Sequence, residues 1–120
     1  MKPLIVFPLT IRTRKNQRGY KKLYVAIWKH LKDLRAAAKQ SSGYSGWGDA
    51  VGCYIAIRHK SQFGEIHLWT KLMGAGYWSH ELQHFLADYS MTTESYPLDE
   101  KANERMAFLA GDLTAQFWTK

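Results

Sequence analysis

Residues 77–89 read Tyr77-Trp78-Ser79-His80-Glu81-Leu82-Gln83-His84-Phe85-Leu86-Ala87-Asp88-Tyr89. Trp78, Leu82, Phe85, Leu86 and Tyr89 recur at three- and four-residue steps, the spacing of one face of an α-helix. On a different side of that helix, His80 and His84 stand four apart, one turn above the other. The stretch predicts a helix that buries an aromatic stripe and presents two imidazoles together elsewhere, with Glu81 beside the first and displaced around the axis.

Outward from this helix the pattern alternates between strand and helix. Downstream, a polar link at 90–97 leads to a last helix at 98–118, with Ala102, Met106, Leu109, Leu113 and Phe117 as its core face. Glu104, Gly111 and Ala115 form a separate stripe, where small residues would let another helix approach. Upstream, 71–76 carries Gly74 and Gly76 and reads as a turn. Before it, 50–58 and 64–70 read as strands joined at 59–63; in the second, Ile66 and Leu68 alternate with Glu65, His67 and Trp69. Residues 41–49 are rich in glycine and serine and read as a loop. In 17–40, Tyr20, Leu23, Tyr24, Ile27, Leu31, Leu34 and Ala38 suggest one long amphipathic helix. Residues 4–11, apolar and interrupted by Pro8, suit a first or edge strand. The expectation is a single α+β domain spanning 1–120, with a backing helix, a short mostly antiparallel sheet, the two-histidine helix and a C-terminal helix carrying Glu104. No internal repeat or low-complexity segment interrupts it.

Composition agrees with one folded core. A chain of 120 residues suits one domain, and a charged fraction of 22% is too low to suggest disorder. The single cysteine, Cys53, excludes an internal disulfide, and its apolar setting reads as a buried strand rather than a reactive thiol. The N-terminal apolar stretch is too short to span a membrane and lacks a signal-peptide cleavage pattern, which points to the cytoplasm. The net charge of +7 is concentrated early, at Arg12, Arg14, Lys15, Arg18, Lys21, Lys22, Lys29, Lys32, Arg35 and Lys39. Such a block could attract nucleic acid or an acidic protein; without a nucleic-acid motif, a solvated helix face and basic loop explain it more simply. Most of the five tryptophans and seven tyrosines are expected in the core. Trp69 is the exception, since on an open strand face it could floor a pocket.

Two histidines at this spacing can share one metal ion, and Glu81 can reach a water on that ion. This is the division of labour that hydrolysis requires: zinc acidifies a water and polarises a carbonyl while a carboxylate moves the proton. By chance His-Glu-x-x-His turns up in on the order of one per cent of chains with this composition. The alternative is a pair of surface histidines with no ion between them. A catalytic zinc needs a third protein ligand. No histidine follows His84; where metzincins continue with glycine and a third histidine, this chain has Ala87 and Ser90. Glu104, on the next helix, is the acidic candidate, with Glu100 one turn before it as its rival and Glu94 and Asp99 behind.

In these residues and their order the chain resembles the gluzincin metallopeptidases, most closely the minimal single-domain minigluzincins. The resemblance implies a zinc-dependent peptidase acting on a peptide or protein, with His80, His84 and Glu104 as ligands and Glu81 as general base. It also implies an edge strand that pairs with extended substrate, expected at 64–70. Many members carry an aspartate four residues after the ligand glutamate to orient the first histidine; here that position is Phe108, leaving Asp112 or Asp88 as substitutes. Tyr96, Tyr77 and His67 are candidates for the oxyanion donor such enzymes use. The missing aspartate and the small size also admit a non-catalytic binding module that works through its basic N-terminal region.

Overall fold

The computed structural model describes residues 2–12, 21–44, 46–48, 50–94 and 97–119. The chain is an α+β domain built on one four-stranded sheet. Strands β1 (Ile5–Thr10), β2 (Lys22–Trp28), β3 (Gly52–His59) and β4 (Gln62–Trp69) lie in the order β1-β2-β4-β3. The outer pairs are antiparallel and the central pair, β2 with β4, is parallel. Helix α1 (Leu31–Ser42) covers one face. Helices α2 (Ala75–Thr93) and α3 (Glu100–Trp118) cover the other.

Of the long first helix expected over 17–40, residues 17–20 lie outside the described residues, and the described part is a strand followed by a shorter helix. Leu23 and Ile27 satisfy a helical step of four, but they satisfy a strand's step of two equally well. Val25 between them decides the matter. Leu23, Val25 and Ile27 all enter the main core, while Ala26 and Trp28 point the other way, under α1. Because both faces of a central strand are covered, Val25 to Trp28 are buried without alternation. Helix α1 ends at Gly43, whose left-handed φ of 71° closes its last turn.

The expected edge strand at 64–70 is also corrected. It lies within β4, an interior strand paired on both sides, and the edges are β1 and β3. On β1, Pro8 has no N–H to offer, and the N–H and C=O of Thr10 bond to the Gln116 side chain at 2.8 and 2.9 Å. That edge is blunted against pairing with another chain. β3 is therefore the edge that borders α2.

The main core fixes α2. Trp78, Leu82, Phe85, Leu86 and Tyr89 are all buried, each such side chain contributing about 1.5–3 kcal/mol over an exposed position. The Trp78 ring stacks on Phe117 of α3 with centroids 4.2 Å apart, and its indole N–H donates to Thr114 Oγ1 at 2.9 Å. At the far end of α2, Asp88 accepts from Tyr54 Oη and from Arg58, both at 2.7 Å. Arg58 reaches Asp88 from an irregularity in β3, where it takes a φ of 54° and lies 3.4 Å over the Phe63 ring. A bulge of this kind re-aims a side chain, and here it pins the strand to the helix.

On the α1 side, Cys53 packs against Ala38 and Ile55. Burial, reinforced by the charges of Glu81 and Glu65, pushes its thiol from 9.0 up to about 12. The unfolded chain would lose this proton first, so the thiol's contribution to stability is full below pH 9.0 and disappears as pH rises to about 12. Native protein at neutral pH is expected to resist thiol-reactive disulfide reagents and to react with one equivalent after denaturation. Prompt labelling of the native chain would mean that α1 does not seal this strand.

Candidate metal centre

The rotation that buries Trp78 and Leu82 leaves His80 and His84 exposed on the far side of α2. Their Nε2 atoms approach to 3.3 Å, with the rings nearly perpendicular. A tetrahedral ion bound at the distance zinc takes from imidazole would hold two such nitrogens about 3.3–3.4 Å apart. The pair thus has the span of a metal chelate. Without an ion, the same contact is an N–H donated by one imidazole to the other.

Glu81 points to a different side. It is 5% exposed, held between α2 and the start of β3. One carboxylate oxygen and one nitrogen from each histidine lie within 4.8 Å of one another, making His80, Glu81 and His84 a group able to hold a metal ion. Burial raises the affinity of this carboxyl for a proton, and the two neighbouring imidazoles partly oppose that effect. A raised pKa makes this carboxylate a stronger proton acceptor than an exposed glutamate.

Glu81 owes its position partly to Gly52, a residue the sequence pattern did not single out. A Cβ at Gly52 would stand 3.2 Å from Glu81 Oε2 and 3.2 Å from the carbonyl oxygen of His67. The available signal was a glycine at the start of a strand, which often marks a close approach of backbone to another group. Beside it, a cleft of about 390 Å³ opens between β3 and the first turns of α2, lined by Val51, Gly52, Gly76, Tyr77, His80 and Glu81.

Glu104 stands outside the group. It is exposed on α3, half a turn of the helix away from the stripe Ala102, Met106, Leu109, Leu113 and Phe117. Gln83 and Ala87 of α2 share a groove with Ala107 and Ala110 of α3. In this antiparallel arrangement the early residues of α3, Glu104 and its rival Glu100 included, lie toward the end of α2 remote from His80. Asp99 caps the start of α3 by accepting from the Ala102 N–H at 2.8 Å, and Glu94 accepts from Arg105 Nε at 2.8 Å.

The proposed orienting aspartates are engaged elsewhere. Asp88 belongs to the Tyr54 and Arg58 network, and Asp112 accepts from Gln116 and faces Arg12. His67 is bonded to Trp28 on the α1 side of the sheet. Trp69 packs on that same side, its indole donating to the Lys29 carbonyl, so it floors no cleft beside the histidines. Of the three oxyanion candidates, Tyr77 lines the cleft and Tyr96 lies outside the described residues. Arg14, Lys15 and Arg18 of the basic block also lie outside them. Of the described remainder, Lys22 is on β2, Lys32, Arg35 and Lys39 are on α1, and Arg12, Lys21 and Lys29 lie between elements, so they do not form a single basic helix.

Gly52→Ala is expected to shift the Glu81 carboxylate by a few tenths of an ångström while leaving both imidazoles in place. Metal affinity should then be kept, while any reaction that depends on Glu81 slows roughly tenfold, as small misplacements of reacting groups do. Parallel metal titration and rate measurement on this variant check it; a loss of metal affinity would show that Gly52 supports the ligands instead. No family model, curated protein or solved structure matches the chain, so the functional reading rests on this geometry.

Proposed function

We propose that the chain is a zinc-dependent peptidase in which His80 and His84 are metal ligands and Glu81 is the general base. The observation that carries this reading is the 3.3 Å separation of the two Nε2 atoms with the buried Glu81 carboxylate beside them. Its support is chemical: two neutral imidazoles form a borderline-soft donor pair that suits zinc. Zinc held there would supply Lewis acidity toward both a water and a carbonyl oxygen.

The chain's own residues would do the rest. Glu81 takes a proton from the attacking water at its carboxylate and returns it to the leaving amine. Its raised pKa keeps that second transfer accessible. The Tyr77 phenol, at the mouth of the same cleft, can donate a hydrogen bond to the developing oxyanion. β3 runs along α2 as an edge strand, so an extended peptide can add to it with its scissile bond near Glu81. Glycines at positions 52 and 76 keep the cleft walls low and leave room for a substrate side chain.

A third protein ligand completes such a centre. The resemblance to gluzincins assigns it to Glu104, whereas the packing of α3 holds Glu104 outside the His80, Glu81 and His84 group. Measured zinc affinity decides between these positions. If α3 delivers Glu104 to the ion, Glu104→Gln weakens binding by roughly tenfold or more and Glu100→Gln does not. If α3 stays as it is packed here, both variants bind zinc like the parent.

Purified protein is expected to hold one zinc ion and to cleave members of a peptide library. Glu81→Gln should retain the ion and lose turnover by roughly a hundredfold or more, and His84→Ala should lose both. Undiminished turnover in the Glu81 variant would reject the mechanism. Zinc binding without turnover in the parent would favour a binding role for the same scaffold. Among the described residues no helix is long and apolar enough to cross a membrane.

A further inference from the structure

The sheet face opposite the metal centre is only half covered. α1 packs mostly over β3 and β4, meets β2 at Ala26 and Trp28, and leaves beside it a cleft of about 340 Å³ that reaches from β1 across β2 to β4. Val6, Tyr24, Ala26 and Trp28 line one side, Gln40 and Ser41 of α1 form the other, and Glu65 and His67 lie at the base. The base is a connected polar chain. Trp28 Nε1–H donates to His67 Nδ1 at 2.8 Å. This leaves the imidazole proton on Nε2, which donates to Glu65 Oε1 at 2.9 Å. Gln62 Nε2 reaches Glu65 Oε2 at 3.3 Å, and Ser41 adds a further hydrogen bond.

His67 is 4% exposed, with its Nδ1 occupied by the Trp28 indole N–H. Although burial pushes the Glu65 carboxyl up, its hydrogen bonds from His67, Ser41 and Gln62 and the charge His67 carries when protonated prevail and hold it below the ordinary carboxylate range. Glu65 is thus ionised, with its side chain only 18% exposed. Among the described residues no lysine or arginine pairs with it, even though the chain carries seven more positive than negative groups. A carboxylate this sheltered ordinarily has a counter-ion. The cleft above it is open, walled by Val6, Tyr24, Ala26 and Trp28 on one side and by Gln40 and Ser41 on the other, and large enough for a small alkyl chain.

From this combination of an open cleft with one aromatic and aliphatic wall and a sheltered carboxylate at its base that no lysine or arginine pairs with among the described residues, we infer that the cleft binds a primary ammonium group through Glu65. The alkyl stem lies along Val6 and Ala26, and the rings of Tyr24 and Trp28 border the cation. His67 acts as a positioning residue, since its tautomer, set by Trp28, fixes Glu65 Oε1, and Oε2, which accepts only the long 3.3 Å bond from Gln62, is the oxygen that would take the ammonium. The ammonium can belong to a small amine or to a lysine side chain of a peptide. The site shares no residue with His80, Glu81 and His84, so it stands whether or not the chain is a peptidase.

The test is an NMR titration of the whole chain with butylammonium chloride and, separately, with lysine blocked at both its α-amine and its carboxyl group. Butanol and butyrate serve as neutral and anionic controls. Saturable shifts of the Trp28 indole N–H with the ammonium probes, and none with the controls, are expected. A tighter response to blocked lysine assigns a peptide lysine, and a tighter response to butylammonium assigns a small amine. Glu65→Gln should weaken binding by roughly tenfold or more. Val6→Lys, at an exposed position on the cleft wall, should abolish it by placing the chain's own ammonium there, which keeps the test decisive if the Glu65 variant fails to fold. Glu81→Gln should change nothing. Absence of saturable shifts, equal shifts with butanol, or full binding by both Glu65→Gln and Val6→Lys would overturn the inference.

Discussion

The rotation of α2 about its own axis is the constraint on which the site depends. Trp78, Leu82, Phe85, Leu86 and Tyr89 can all be buried together at only one rotational setting. Stacking of Trp78 on Phe117 holds one end of the helix at that setting, and the Asp88 network with Tyr54 and Arg58 holds the other. With the helix so fixed, His80 and His84 must face outward together while Glu81, a quarter of a turn or so from them, must face the start of β3. The convergence of two imidazoles and one sheltered carboxylate is thus a by-product of core packing. It costs no strained backbone at the site: among the described residues, the non-glycine positive φ angles are at Arg58 and Lys60, in the β3–β4 turn region.

The same reasoning shows which parts of the molecule were legible in the sequence. Long helices with a single covered face announce themselves, so α2 and α3 were readable from the spacing of their apolar residues. β2 was not, because Leu23 and Ile27 are compatible with both periods and a strand covered on both faces loses the alternation that marks it. Strand order was not readable either. Nothing in 64–70 says that β2 will pair beside it, since parallel pairing joins segments far apart in sequence. The placement of Glu104 is a different case. Its angle relative to Ala102, Met106 and Leu109 was available from the sequence and already put it opposite the buried face of α3. A spacing of twenty residues from His84 allows approach, while helix phase, set by the core, leaves Glu104 exposed and outside the group of His80, Glu81 and His84 as packed.

The two faces of the sheet use their polar residues differently. On the α2 side, one carboxylate is sheltered beside two imidazoles that can share an ion. On the α1 side, another carboxylate is held by an imidazole, with no lysine or arginine paired with it among the described residues. β3 and β4 connect the two environments: Gly52 opens space for Glu81, and its neighbour Cys53, on the reverse face, packs under α1. A small sheet can host two polar sites this way because successive residues point to opposite faces, and only a glycine lets a side chain from a helix settle against the strand itself.

X-ray absorption at the zinc edge, on protein loaded with one equivalent of zinc, tests the central claim most directly. The account predicts two imidazole nitrogens about 2.0–2.1 Å from the ion, with the characteristic outer-shell scattering of their rings, and loss of one imidazole's contribution when His80 is replaced. A first shell of oxygens alone, or a spectrum unchanged by that replacement, would contradict it.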